Sequence, residues 1–378
     1  MGAVLPAMRL RSRKKTFACF FDPTKITSGQ RFFSELAQAL GSRGAVGLKR
    51  ADVVLFNVSA PLGEFVKARL RRQEVVVRLD GVYHDRLSEV FIGSFRSAGV
   101  RAVLRLGLRF RRLETPLSKL ANLLNRNYGA MARALLAHRF VYQSRFGRQS
   151  WAHYFPNKPA AVIVNGATWQ QQESSAAPSA EIIQLVTIYD DWRPTKRIDD
   201  LIEFVHWCNE QQRVPVRLKI LGFSGKFPKT FSARTKELMG SSPYIQTLPR
   251  FSAIDGVVKD AFVGSHAYIT FTFRDSCPNV VVEAMSLGLP VVATRSGGLE
   301  DIVGDAGRLI PLGDDPGRHF CASRYESDFP AIDFAAVLEA VQDVARDGAR
   351  YRQLVERRFA TDLGLDIVAA RYAAALVP

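Results

Sequence analysis

Short apolar runs alternate with stretches of helical apolar spacing twice along this chain, and a polar stretch separates the two series. That order admits few folds, because strands separated by helices pair in parallel through right-handed crossovers. In the first series, Thr16 to Phe21, Ala51 to Val58, Glu74 to Leu79, Val141 to Gln143 and Ala161 to Val164 read as strands. Arg31 to Leu40 reads as a helix with Phe32, Phe33, Leu36 and Leu40 on one stripe, and Leu62 to Arg72 as another. Gly166 to Ala180 is rich in Ser, Ala and Gln and reads as a linker. In the second series, Ile182 to Ile188, Val216 to Leu221, Tyr268 to Phe273 and Pro290 to Thr294 read as strands. Ile198 to Cys208, Asn279 to Leu287, Phe334 to Ala345, Ala349 to Phe359 and Ile367 to Ala375 read as helices. The expected fold class is α/β, with two Rossmann-like domains: residues 1–166, a linker at 167–180, and residues 181–364. In such a fold a ligand binds outside the carboxyl ends of the strands.

The 378 residues exceed what one core usually supports. With 52 Lys and Arg against 36 Asp and Glu, the chain carries a formal charge of +16. Its expected partners are therefore nucleic acid, an anionic membrane surface, or small anionic substrates. Cys19, Cys208, Cys277 and Cys321 lie far apart with no C-x-x-C pair, so they read as reduced thiols rather than a metal ribbon or redox motif. No apolar run approaches the roughly 18 residues of a spanning helix. The first residues place their charges after a short apolar stretch, the wrong order for a signal peptide, so the expected location is cytoplasmic.

The most informative stretch runs from Arg274 to Pro311. Pro278 fits the start of a helix. Asn279, Val280 and Val281 then fall in the first turn, where unpaired N–H groups and the positive dipole end favour a diphosphate. Glu283 lies about one turn further on, set to accept from a ribose diol. Gly297 and Gly298 allow a backbone turn to approach a ligand closely. Either feature alone would read as an exposed helix residue or a plain turn. Jointly, Asp275, Glu283-Ala284-Met285, Gly288-Leu289-Pro290-Val291-Val292-Ala293 and Gly297-Gly298 resemble the donor-binding signature of the retaining glycosyltransferases of family 4, or group 1, which adopt the GT-B fold. That family usually has Glu where Asp275 stands, so the carboxylate here is one carbon shorter.

The resemblance implies roles for other positions. Lys196, in Thr195-Lys196-Arg197-Ile198, matches the family's diphosphate-neutralising lysine, while Arg197 reads equally as a solvated charge. The family's upstream Gly-Arg is replaced by Ile188-Tyr189-Asp190-Asp191-Trp192-Arg193; either Arg193 supplies the second cation or that contact is missing. Gly222 follows a strand as in the family's glycine turn, and Arg250-Phe251-Ser252 stands where a loop lies beside the base. In the first half Ser28 and Gly29 stand where the family has paired glycines near the diphosphate. Asp80 and His84 follow a strand and would line the acceptor side; the alternative is a turn-capping aspartate and a surface histidine. Tyr142-Gln143-Ser144, Phe146, Trp151 and Asn165-Gly166 resemble the family's elements before the linker, and the final helix (365–378) is expected to return to the first domain.

The function implied is retaining transfer of a hexose from a UDP- or GDP-type nucleotide sugar to a glycan or lipid-linked acceptor, in bacterial surface polysaccharide or glycolipid synthesis. The nucleotide sugar is a substrate, and neither a cofactor nor a metal is expected. From Arg96 to Arg148 basic residues face a single acid, Glu114. Arg101, Arg105, Arg109 and Arg112 recur at helical spacing, although Leu104, Leu106, Leu108 and Phe110 also alternate as a strand would. A basic amphipathic helix fits an anionic membrane surface, so a peripheral position at the inner face of the plasma membrane is expected. Nucleic acid fits less well, for lack of a basic motif interleaved with aromatics. The rival readings are a non-catalytic membrane- or nucleic-acid-binding protein on the same scaffold, and a nucleotide-sugar epimerase.

Overall fold

The structure, a computed structural model, describes residues 15–20, 28–170, 181–189, 192–223, 225, 227, 231–249, 262, 264–314, 319–326 and 328–377. Among the described residues, two parallel sheets form. The first comprises β1 (Phe17–Phe20), β2 (Val53–Asn57), β3 (Glu74–Leu79), β4 (Arg139–Tyr142) and β5 (Ala160–Val162), in that spatial order. The second comprises β6 (Ile183–Ile188), β7 (Val216–Phe223), β8 (Ile245–Pro249), β9 (Ala267–Thr270), β10 (Val291–Thr294) and β11 (Gly307–Ile310). Its order is β11-β10-β9-β6-β7-β8, so strand order reverses between β6 and β9. Among the described residues the first sheet shows no such reversal. The crevice that a reversal opens at the carboxyl ends of the strands therefore belongs to the second sheet.

Helices cover both sheets. They are α1 (Ser28–Gly41), α2 (Leu62–Leu70), α3 (Glu89–Gly93), α4 (Ala98–Arg109), α5 (Arg111–Asn122), α6 (Tyr128–Leu136) and α7 (Arg145–Ala152) in the first half. The second half adds α8 (Ile198–Glu210), α9 (Ala233–Ser241), α10 (Asn279–Ser286), α11 (Leu299–Val303), α12 (Phe334–Arg346), α13 (Gly348–Arg358) and α14 (Leu365–Leu376). Strands such as β2 and β10 are buried on both faces, which is why they read as continuous apolar runs. Successive residues serve opposite layers. Val53 and Leu55 pack with Phe33 and Leu36 of α1, while Val54 and Phe56 pack with Phe65 of α2 and Trp151 of α7. In the second sheet, Leu218 and Ile220 meet Leu201 and Val205 of α8, while Val291 and Ala293 meet Val282 and Met285 of α10.

The chain passes between the halves at two adjacent places. Ala167 pairs with Gly364: the Ala167 N–H donates to Leu363 O (3.0 Å) and the Leu365 N–H to Ala167 O (3.0 Å). Trp169 packs on Phe359 with ring centroids 5.2 Å apart. The first residues of the expected linker are thus anchored, and residues 171–180 of it lie outside the described residues. Beyond the second crossing, Tyr372 and Leu376 of α14 join α1 in the core of the first sheet.

Leu104 to Arg109 is helical rather than strand-like, and only one side of α4 finds a partner: Leu104 and Gly107 are buried and most of their neighbours are not; Phe110, extended, ends the helix. No described helix is long and apolar enough to cross a membrane.

Candidate active site

The reversal between β6 and β9 collects the second half's charged candidates. The chain leaving β6 reaches a short 3-10 turn, Pro194–Lys196, and the chain leaving β9 reaches Asp275. Lys196 Nζ donates to Asp275 Oδ2 at 3.1 Å, and the Cys277 N–H donates to Asp275 Oδ1 at 3.2 Å. Burial alone would raise the Asp275 carboxyl. The Lys196 ammonium, the Cys277 N–H and the charge of Arg193 together outweigh it and hold the group below its ordinary value. Arg193 therefore acts on the same carboxylate as Lys196.

Two left-handed arginines aim these groups. Arg197 (φ 52°) follows Lys196, and Arg274 (φ 48°) precedes Asp275. Non-glycine residues hold such a backbone only where surroundings over-determine it. Both side chains are buried, so Arg197 is not the solvated charge that its sequence context also allowed. One stretch, residues 319–326 and 328–330, secures both. Arg197 donates to Pro330 O (2.7 Å) and to Asp200, while Arg274 forms a buried ion pair with Glu326. The same segment fastens the first half. Cys321 N–H donates to Val82 O (2.8 Å), His84 N–H to Cys321 O (2.9 Å), and Ser323 N–H and Oγ to the two oxygens of buried Asp85 (2.9 and 2.5 Å). Nothing in the sequence patterning marks this strap.

Gly297 and Gly298 serve the Asp275 loop from beneath. A Cβ on Gly298 would overlap the Ser276 carbonyl, and one on Gly297 that of Asp275, so only glycine lets the turn after β10 lie under the loop.

Helix α10 presents its first turn beside this loop. The Val281 N–H is not an open donor, as its place in the first turn suggested: it donates to Pro278 O (3.0 Å) because the turn tightens there. The N–H groups of Asn279 and Val280 remain as the open donors of the tip. Glu283, on the same helix, pairs with Arg31 of α1 and lines a pocket of about 70 Å³ together with Glu35, Asn279 and Gly166. Arg31 was not singled out in the sequence, although its place two residues beyond Gly29 was a signal. Ser28 and Gly29 form the start of α1 itself. Gly222 (φ +95°) lies at an irregularity in β7, against the Tyr189 carbonyl, rather than in an open turn. Phe251 lies outside the described residues.

On the first-half wall, Asp80 follows β3. Burial raises its carboxyl; Arg78 and Gln143 partly offset this, and the nearby Asp275 charge adds to it. The two carboxylates are thus close enough to repel. His84 is not gathered with them: its ring lies on Phe320 at 5.2 Å. Burial and the charges of Arg274 and Lys119 pull its pKa down to about 4, so the ring is neutral near pH 7.

Residues 184–320 match the model of the family described as Glycosyl transferases group 1. The fold is similar to that of TarM, with a TM-score of 0.57 at 15% identity over 91% of this chain and 58% of that one. It is similar to the pneumococcal O-GlcNAc transferase GtfA, solved with UDP and GlcNAc, with a TM-score of 0.54 at 13% identity over 91% of this chain and 59% of that one. WaaG, a glycosyltransferase involved in lipopolysaccharide biosynthesis, gives a TM-score of 0.53 at 14% identity over 96% of this chain and 99% of that one. The chain therefore spans 58% and 59% of the TarM and GtfA chains. None of the curated proteins matches it. The architecture is α/β of the GT-B kind, with two Rossmann-like parallel-sheet domains.

Proposed function

We propose that the protein transfers a hexose, with retention, from a nucleoside diphosphate sugar to a glycan or lipid-linked acceptor in bacterial surface polysaccharide or glycolipid synthesis. The observation that carries this reading is the meeting of Lys196 and Asp275 at the strand-order reversal, with the tip of α10 beside them. Lys196, Arg193 and the N–H groups of Asn279 and Val280 would take the diphosphate, Glu283 the ribose diol and Asp275 the sugar hydroxyls. As the glycosidic bond breaks, negative charge grows on the leaving phosphate, where fixed cations and amides lower its energy most. Asp80, across from Asp275, would orient the acceptor hydroxyl, with neutral His84 further along the same wall. The front-face route, in which a donor phosphate oxygen takes the acceptor proton, is what the resemblance implies. The names of GtfA, solved with UDP and GlcNAc, and of WaaG, involved in lipopolysaccharide synthesis, favour a UDP-type donor and a surface-glycan product.

Titration calorimetry against UDP, GDP and their hexose conjugates tests the donor. Micromolar binding of one base series is the expected result, and heatless titrations throughout would defeat the reading. Donor breakdown with no acceptor present would favour the epimerase.

The α4–α5 hairpin supports a position at the membrane. Val103, Leu106, Phe110, Leu113 and Leu120 are exposed there, beside Arg105, Arg109 and Arg112. Each cation near an anionic leaflet contributes about 1 kcal/mol. We expect the protein to sediment with vesicles containing phosphatidylglycerol and not with pure phosphatidylcholine. A Leu106→Asp, Phe110→Asp variant should stay in the supernatant; unchanged sedimentation of that variant removes the hairpin from the contact.

A further inference from the structure

A buried chain of polar groups links the two walls of the candidate site, and its direction is fixed at one end. Arg78, on β3, is 2% exposed and sits against the rings of Phe32 and Phe33 at 5.1 and 5.8 Å. Its Nη2 donates to Asn165 Oδ1 at 2.6 Å, and its Nη1 lies 3.8 Å from Asp80 Oδ1. A guanidinium can only donate. The Asn165 side chain, 1% exposed, must therefore turn its oxygen to Arg78 and its amide nitrogen the other way. That nitrogen meets two acceptors, Gln143 Oε1 at 3.3 Å and Asn279 Oδ1 at 2.5 Å. With its oxygen engaged, Gln143 can offer only Nε2 onward, and Nε2 donates to Asp80. With its oxygen engaged, Asn279 can offer only Nδ2 onward, and Asn279 lines the pocket beside Glu283. No step leaves a choice of amide orientation.

We propose that Arg78 and Asn165 are positioning residues: they hold the Asn279 carboxamide with its NH₂ facing the cleft, where it donates to the terminal phosphate of a bound nucleoside diphosphate. The same root turns the Gln143 NH₂ onto Asp80, so one buried cation orients a donor-side amide and an acceptor-side carboxylate together. The inference rests on the nucleotide-sugar reading and adds to it a side-chain donor for the diphosphate, besides the α10 amides. It also gives the buried Arg78 charge, whose counter-ion Asp80 stands 3.8 Å away, a role beyond packing.

The test is a double-mutant cycle read by calorimetry with whichever of UDP and GDP the wild type binds, and with the matching monophosphate. Asn165→Asp keeps Arg78 paired, so the fold should survive, but its second carboxylate oxygen captures the Asn279 NH₂. Diphosphate affinity should fall roughly tenfold, the measure of one lost charge-assisted hydrogen bond. Monophosphate affinity should change less than about twofold, because no terminal phosphate is present to lose the contact. Asn279→Ala should show the same pattern, and Asn165→Asp on top of Asn279→Ala should add nothing. Additive losses, or equal losses for diphosphate and monophosphate, overturn the inference while leaving the nucleotide-sugar reading intact. A wild type that binds no nucleoside diphosphate overturns both.

Discussion

Replacing Glu283 with alanine is expected to lower sugar transfer at least about 100-fold while leaving the fold unchanged. A carboxylate that accepts from both hydroxyls of a ribose makes two charge-assisted hydrogen bonds, each worth about 1.5–3 kcal/mol, and about 1.4 kcal/mol is a factor of ten in rate. The loss adds to the release of Arg31, whose guanidinium would then meet the donor without its counter-ion. The fold should tolerate the change because α10 is held by Val281, Val282, Ala284 and Met285 on its opposite face. Initial rates with the cognate donor, beside circular dichroism and a melting curve, check both halves of the expectation. Turnover at the wild-type rate would remove Glu283 from the donor site.

The second large effect concerns stability. Glu326→Ala should destabilise the protein by about 3–5 kcal/mol, since it strips the buried Arg274 guanidinium of its carboxylate partner. The two side chains are 4% and 3% exposed, so water does not readily take the place of the lost partner. The change should also relax the left-handed backbone at Arg274, and with it the aim of Asp275. Glu326→Gln, which keeps an acceptor, should lose less. Urea unfolding with the slope held constant separates the two variants; an Ala variant within about 0.5 kcal/mol of wild type, as for an ordinary surface substitution, would show that the strap does not support the Asp275 loop.

What was legible in the sequence follows from periodicity and from short-range chemistry. β2, β3, β9 and β10 are buried on both faces and announce themselves as apolar runs. β8, with the half-exposed sequence Ile245-Gln246-Thr247-Leu248-Pro249, and the four residues of β11, which include Arg308, carry no such signal, because sheet edges need not be apolar. Strand β9 stops at Thr270, short of the expected Phe273, although Phe271 and Phe273 remain buried. Arg78 was visible as a charge within the apolar run of β3, yet its function depends on Asn165, 87 positions away.

The chain's own order thus determined the class of fold, the α10 segment and the glycine pair after β10, all of them matters of neighbours within about a dozen residues. Tertiary structure alone decided that Lys196 meets Asp275, that Glu283 is held by Arg31 and not left to solvent, and that a strap from beyond residue 318 fixes both arginines beside the site. The physical reason is distance along the chain. Helical and strand periods are written by residues a few places apart, whereas a charge cluster at a strand-order reversal joins loops whose separation is set only when the sheet closes.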